Sequence, residues 1–97
     1  MLEFEWDLEK ARFNLQKHGV AFSEAATVFG DPLSVTAYDP DHSEDEDRFL
    51  LLGSSAQRRY LIVAFCDRGP RVRIISARLM TRTERQHYER QNKRQSE

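Results

Sequence analysis

The 97 residues contain a single cysteine, Cys66. That excludes an internal disulfide and any zinc site built on cysteine. No apolar run approaches the ~18–20 residues of a membrane span, and the longest is Tyr60–Cys66. The start, MLEFEWDLEK, is acidic and lacks the apolar stretch of a secretion signal. The expected compartment is therefore a reducing cytoplasm, with no membrane partner. There is no internal repeat, and no linker long enough to divide the chain. A single domain over residues 1–97 is expected, enough for one core.

What the chain does have is a division of charge. Residues 1–47 hold twelve acids against three bases, a balance of −9, and residues 48–97 hold twelve bases against four acids, a balance of +8. Eleven of the twelve C-terminal bases are arginine, the other being Lys93. Arginine is preferred where a planar fork must grip phosphate or carboxylate. Such asymmetry points first to a polyanionic partner.

Hydrophobic spacing gives the elements. Phe4 and Trp6 alternate with acids and predict a short strand. Asp7 can cap a helix on which Leu8, Ala11 and Leu15 recur, and Gly19 should end it in a Schellman-type stop with Lys17 and His18 at the dipole's negative end. Ser23 is placed to cap a second helix through Phe29, stopped by Asp31-Pro32. Strands are expected at Leu33–Tyr38, Arg48–Gly53, Arg59–Cys66 and Arg71–Ala77, the last two joined by the turn Asp67–Pro70. Thr81 to Glu84 reads as a capping box opening a last helix with too little apolar surface to be anchored deeply, expected to lie on the surface or fold onto a partner and to fray after about Arg90. The order is β-α-α-β-β-β-β-α: an α+β fold with a small antiparallel sheet, two N-terminal helices on one face and a C-terminal helix.

Unbroken alternation along Arg71–Ala77 puts Val72, Ile74, Ser76 and Arg78 on one face, and Arg71, Arg73, Ile75 and Ala77 on the other. Arg78, Arg82 and Arg85 then flank the start of the last helix, where forked donors and free N–H groups suit phosphate. The plainer reading is a solvated face with Glu84 and Glu89 as ion-pair partners. His18 is either a surface cation complementing the helix dipole or an acid–base group, imidazole being the side chain that exchanges protons near neutral pH. Lys17 beside it would stabilise an anionic phosphorane or be solvated. The loop 39–47 carries six carboxylates and His42 but lacks the glycine and spacing of a calcium loop. It reads as a solvated loop or as a patch for a basic partner segment, and no metal or other cofactor is expected. Cys66, on a buried strand, reads as a structural thiol.

The runs FEWDLEKARFNLQKHGVAFSEAATVFGDPL, EDEDRFLLLG and RVRIISARLMTRTERQHYE together resemble the BrnT toxins of bacterial type II toxin–antitoxin systems, over about residues 3–89. WD-x-x-KA, KHGV-x-F, VF-x-DPL and RIISAR are specific in combination. One departure is Asp45-Glu46, where family members often carry Gly-Glu; losing that glycine narrows the backbone angles open to the loop. The resemblance implies a RelE-like fold and a ribonuclease activity that blocks translation. It also implies neutralisation by a BrnA-like ribbon-helix-helix antitoxin, in a heteromeric complex of two toxins and two antitoxins, with DNA met only through the antitoxin.

The matching polar positions are Lys17, His18, Glu46, Arg48, Ser76, Arg78, Thr81, Arg82, Glu84, Arg85 and Tyr88. The catalytic set expected is Lys17, His18, Glu46, Arg48, Arg78, Arg82 and Tyr88. His18 would do acid–base work, Arg48, Arg78 and Arg82 would hold the phosphate, and Tyr88 would stack on a base or give a proton. Glu46 would orient His18 or Arg48 if it lies near either. Arg71, Arg73, Ser76, Thr81 and Arg85 would bind RNA. Two other classes stand beside this reading: a non-catalytic nucleic-acid-binding module, and a protein-interaction module whose two charged halves meet complementary partners.

Overall fold

In this computed structural model, which describes residues 2–95, three helices and five strands follow the expected order. They are β1 Glu3–Glu5, α1 Leu8–His18, α2 Phe22–Thr27, β2 Val35–Tyr38, β3 Arg48–Ser54, β4 Tyr60–Arg68, β5 Arg71–Leu79 and α3 Arg82–Gln95. Short 3₁₀ turns follow α2 at Val28–Gly30 and β2 at Pro40–His42. α3 stays helical beyond Arg90, and of the tail expected to fray residues 96–97 lie outside the described range.

The five strands form one sheet in the order β1-β5-β4-β3-β2. It is antiparallel except at one edge, where β1 runs parallel to β5. Parallel neighbours need a long crossover, and here that crossover is most of the molecule. Val20, Phe22, Ala25 and Val28 press on Leu61, Val63, Phe65, Val72, Ile74 and Ala77 of one sheet face. Each large side chain so buried stabilises the fold by roughly 1.5–3 kcal/mol.

Three local readings are corrected. β5 does not alternate without a break: Ala64 faces Ser76 while Phe65 faces Ile74, so Ile75 is an extra residue. Such a bulge flips the phase beyond it. Val72, Ile74 and Ala77 are therefore buried in the core, while Ser76 and Arg78 join Arg71 and Arg73 on the opposite face. Second, α1 does not bury Leu8 and Leu15, which are 75% and 52% exposed; its buried residue is Asn14. Gly19 does take the left-handed cap at φ 68°, and its N–H bonds the Leu15 carbonyl at 2.9 Å, the simpler αL stop. Third, Ala21 rather than Ser23 precedes α2, and it offers no side-chain cap.

Asp7 caps α1 as expected, accepting from the N–H groups of Glu9 and Lys10, and those bonds hold its carboxyl below the usual range. Among the described residues the only non-glycine with positive φ is Arg58, so Asp45 does not need the freedom of the glycine it replaces. Gly53 sits where there is little room for a side chain. A Cβ there would lie 2.8 Å from Val28 Cγ1 and 2.9 Å from Asp31 Oδ2.

Candidate active site

The sheet face turned away from the core carries one row of side chains across four strands: Glu5, Arg73, Cys66 and Arg48. Arg73, Cys66 and Arg48 of this row floor a groove of about 440 Å³, walled by Lys10 of α1, by Arg68, and by Asp41, His42, Glu44, Asp45 and Glu46 of the acidic loop. A second groove of about 550 Å³ continues past Lys10 and the bulged Ile75. There Phe13, Asn14, Lys17 and His18 of α1 face Ser76 of β5. The bulge makes this meeting possible, because without it Ser76 would point into the core.

Lys10, Asn14, Lys17 and His18 recur at helical spacing, so one face of α1 serves both grooves. Lys10 and Asn14 were not singled out from the sequence. The i, i+4, i+7, i+8 pattern of polar residues beside an apolar-poor stripe is the signal that could have found them. Lys17 Nζ stands 5.7 Å from the Phe13 ring centre. His18 is half-buried and has no hydrogen-bond partner among the described residues.

Arg48 is half-buried, and its Nε–H is buried with no partner. Its neighbours in the row are more engaged. Arg73 donates to Glu5 at 2.9 Å. Glu46 pairs through both oxygens with Arg68, at 2.9 and 3.0 Å, rather than with His18 or Arg48. The Arg68 bonds hold the Glu46 carboxyl below the usual range. Burial, and then the Glu46 carboxylate, push the Cys66 thiol up, which suits an inert floor residue better than a nucleophile. Arg71 pairs loosely with Glu3 at 3.5 Å on the exposed rim.

The arginines at the start of α3 lie apart from these grooves in their bonding. Arg78 meets Glu84 through two hydrogen bonds, and Glu84 also caps the Thr81 N–H at 2.8 Å. Arg85 lies 4.2 Å over the Tyr60 ring centre and bonds Glu89. Both partners of the plainer reading are thus in place. Arg82 and Thr81 are exposed. Tyr88 is only 4% exposed; its ring packs on Tyr60 and its hydroxyl donates to Asp31 at 2.7 Å. Burial, and then that carboxylate, push Tyr88 up to about 12. Tyr88 therefore anchors α3, which the sequence read as poorly anchored.

The grooves set two arginines on the floor, a guanidinium with an unpartnered donor and an imidazole with a lysine beside it, against an acidic wall of Asp41, Glu44, Asp45 and Glu46. Among the described residues no three of His, Cys, Asp and Glu group as metal ligands, and no helix is long and apolar enough to cross a membrane.

No curated protein sequence matches the chain. Among solved structures it is similar to the 1.1 Å crystal structure of the Brucella abortus ribonuclease toxin BrnT, with a TM-score of 0.62 at 20% identity, covering 84% of this chain and 100% of that one. That likeness establishes the shared α+β fold. Residues 6–84 match the family model described as the ribonuclease toxin BrnT of type II toxin–antitoxin systems. The chain is therefore a member of the BrnT family of ribonuclease toxins.

Proposed function

We propose that this chain is an endoribonuclease that cuts RNA without a metal ion, so blocking translation in the cytoplasm, and is silenced by a BrnA-like ribbon-helix-helix antitoxin in a two-toxin, two-antitoxin complex. The observation that carries the reading is the pair of grooves that share Lys10 and the bulged Ile75, one holding Lys17, His18 and Ser76 and the other Arg48 and Arg73.

RNA brings its own nucleophile. A base removes the proton of a ribose 2′-OH, and the oxygen attacks the adjacent phosphorus. The P–O5′ bond breaks, and an acid returns a proton to the departing 5′-oxygen. The products are a 2′,3′-cyclic phosphate and a free 5′-hydroxyl. His18 is the residue placed to hold or give a proton. Arg48, with its unpartnered Nε–H, and Lys17 would meet the extra negative charge of the phosphorane, the kind of stabilisation that dominates such reactions. Glu46 would act through Arg68, holding that cation at the groove wall. Ser76 and Arg73 would contact the backbone. Arg71, Arg78, Thr81, Arg82 and Arg85 would track the strand outside the groove, with Arg78 exchanging Glu84 for phosphate. Tyr88 would support the site by holding α3 in place.

The test is purified protein with RNA, free and ribosome-bound, in excess EDTA. Cleavage that persists and leaves cyclic phosphate ends is expected. Cleavage abolished by EDTA and restored by a divalent ion would overturn the metal-free mechanism. No cleavage of any RNA by the wild type would favour a binding module.

A further inference from the structure

We infer that Asn14 is a positioning residue: its carboxamide stands in for the strand that β5 lacks beyond Arg73, and so fixes His18 opposite Ser76. The inference rests on the ribonuclease reading for its activity measurement only.

β1 pairs with β5 from Arg71 to Arg73 and then ends. Beyond that point no strand among the described residues lies on the β1 side of β5, although β5 runs on to Leu79. An open edge leaves backbone donors and acceptors to be satisfied. Asn14 supplies both. Its Oδ1 accepts from the Ala77 N–H at 3.1 Å, and its Nδ2 donates to the Ala77 carbonyl at 2.8 Å. Exchange of both bonds with one residue is what a hydrogen-bonded antiparallel neighbour would do. Nδ2 has a second hydrogen, which goes to the Val20 carbonyl at 2.9 Å. Two carbonyls and one N–H fix which side of the amide is which.

The bonded positions matter for the groove. Ala77 lies between Ser76 and Arg78, and Val20 lies two residues past His18. Asn14 is one helical turn before His18 on the same face of α1. A single side chain, only 4% exposed, therefore ties both walls of the groove together. The corner is held from outside as well: Gly19 bonds back to Leu15, and Arg59 Nη2 donates to the Gly19 carbonyl at 2.9 Å. Arg59 is itself held by the buried Glu24. An aliphatic residue at position 14 would fill the space but leave three backbone groups unpaired. Aspartate would keep the acceptor and lose both donors.

Asn14→Ala and Asn14→Asp should be compared with wild type at a temperature where each is folded. The first readout is NMR: the His18 ring resonances, the Ser76 amide and the hydrogen exchange of the Ala77 amide. The second is kcat and KM for RNA between pH 5.5 and 8. Expected are shifted His18 and Ser76 resonances in both variants, with faster Ala77 exchange in Asn14→Ala. kcat should fall at least tenfold while KM stays within threefold. Part of that loss should be recovered at pH 5.5 in Asn14→Asp, because burial against the Ala77 and Val20 carbonyls raises the new carboxyl toward that range and protonation restores one donor, and not in Asn14→Ala. A folded variant with wild-type resonances, or with shifted resonances and wild-type kcat, would overturn the inference. Should Asn14→Ala not fold, the pH rescue of Asn14→Asp decides it. If wild type cleaves no RNA, the functional reading fails, and the resonances alone decide whether Asn14 places His18.

Discussion

Arg78 and Glu84, six residues apart, form a two-pronged ion pair with Nη1–Oε1 at 2.7 Å and Nη2–Oε2 at 2.8 Å. The same carboxylate takes the Thr81 N–H, and the Thr81 hydroxyl takes the Glu84 N–H, closing the capping box. One acid therefore joins the end of β5 to the start of α3. The Arg78 bonds, helped by the Thr81 N–H, bring the Glu84 carboxyl down to about 2. A carboxylate depressed on folding adds stability at neutral pH and loses it as pH falls from about 4.5 toward about 2. Because Arg78 is partly exposed, water screens the pair, and about 0.5–1 kcal/mol is the expected size. Glu84→Gln should lower Tm by a few degrees at pH 7 and match wild type near pH 2. Melting curves across that range check it, and a gap that persists at pH 2 would sink the ion-pair account.

Tyr88 makes the opposite pH prediction. Its hydroxyl, pushed up to about 12, contributes fully below the ordinary tyrosine value of 10 and loses that contribution as pH rises toward 12. Burial works to raise the Asp31 carboxyl too, but the N–H groups of Ser54 and Leu33 and the Tyr88 hydroxyl outweigh it and hold the carboxyl low. Tyr88→Phe should cost about 1.5–3 kcal/mol, the worth of one hydrogen bond to a charged partner, while RNA cleavage by the folded variant stays within threefold of wild type. A tenfold loss of cleavage at unchanged stability would instead make Tyr88 a participant in the reaction.

Most elements were legible in the sequence because their stops are local: Asp7 caps α1, Gly19 turns left-handed, and the two-residue turn at Gly69-Pro70 closes the last hairpin. The faces were less legible. Nothing in Arg71–Ala77 announces the extra residue at Ile75, since a bulge depends on the partner strand. The charge split was visible, but its main use was not. Glu3 meets Arg71, Glu5 meets Arg73, Glu24 meets Arg59 and Glu46 meets Arg68, so acids of the first half neutralise arginines of the second within the chain. Long-range pairing of this kind cannot be read from local spacing. It leaves the groove's cationic character to Lys10, Lys17, Arg48 and the partly engaged Arg73. Asn14 escaped notice because a polar residue in a helix is ordinarily a solvated one.

Gly53 offers a steric test of how the 3₁₀ turn at Val28–Gly30 fits against β3. Gly53→Ala sets a Cβ 2.8 Å from Val28 Cγ1, 2.9 Å from Asp31 Oδ2 and 3.1 Å from Ser34 Cβ. Val28 is fully buried, and Asp31 is bonded to Ser54 and Tyr88, so neither can step aside freely. Forcing atoms into such a site costs about 1–3 kcal/mol. Urea unfolding should show that loss with an unchanged slope; a neutral substitution would mean that the contact relaxes.

Arg48 separates groove chemistry from general charge. Its guanidinium lines the groove, and its buried Nε–H has no partner among the described residues, whereas Arg12, exposed on α1, lines neither groove. Arg48→Ala should lower kcat for RNA cleavage at least tenfold, equivalent to about 1.4 kcal/mol of transition-state stabilisation. Arg12→Ala should stay within twofold. Equal effects from the two would reduce the groove to bulk electrostatics.

The antitoxin's approach can be tested by charge. Tyr88 is buried, so the half-buried Met80 is the apolar residue left for a partner just before α3. Arg82 and Arg85 stay exposed on that helix, and an acidic partner would feel them before contact. Opposite charges raise the rate of encounter more than they tighten the finished complex, and salt screens them beyond about 8–10 Å. Association should therefore slow as salt rises, and Arg82→Glu and Arg85→Glu should each slow it at least threefold at low salt. Dissociation should change little, because exposed charges at a rim contribute little once docked. Stopped-flow or surface-based kinetics across a salt series measures both rates. An association rate indifferent to salt and to both reversals would place the antitoxin on another surface, the acidic loop 39–47 being the next to test with charge reversals of its own.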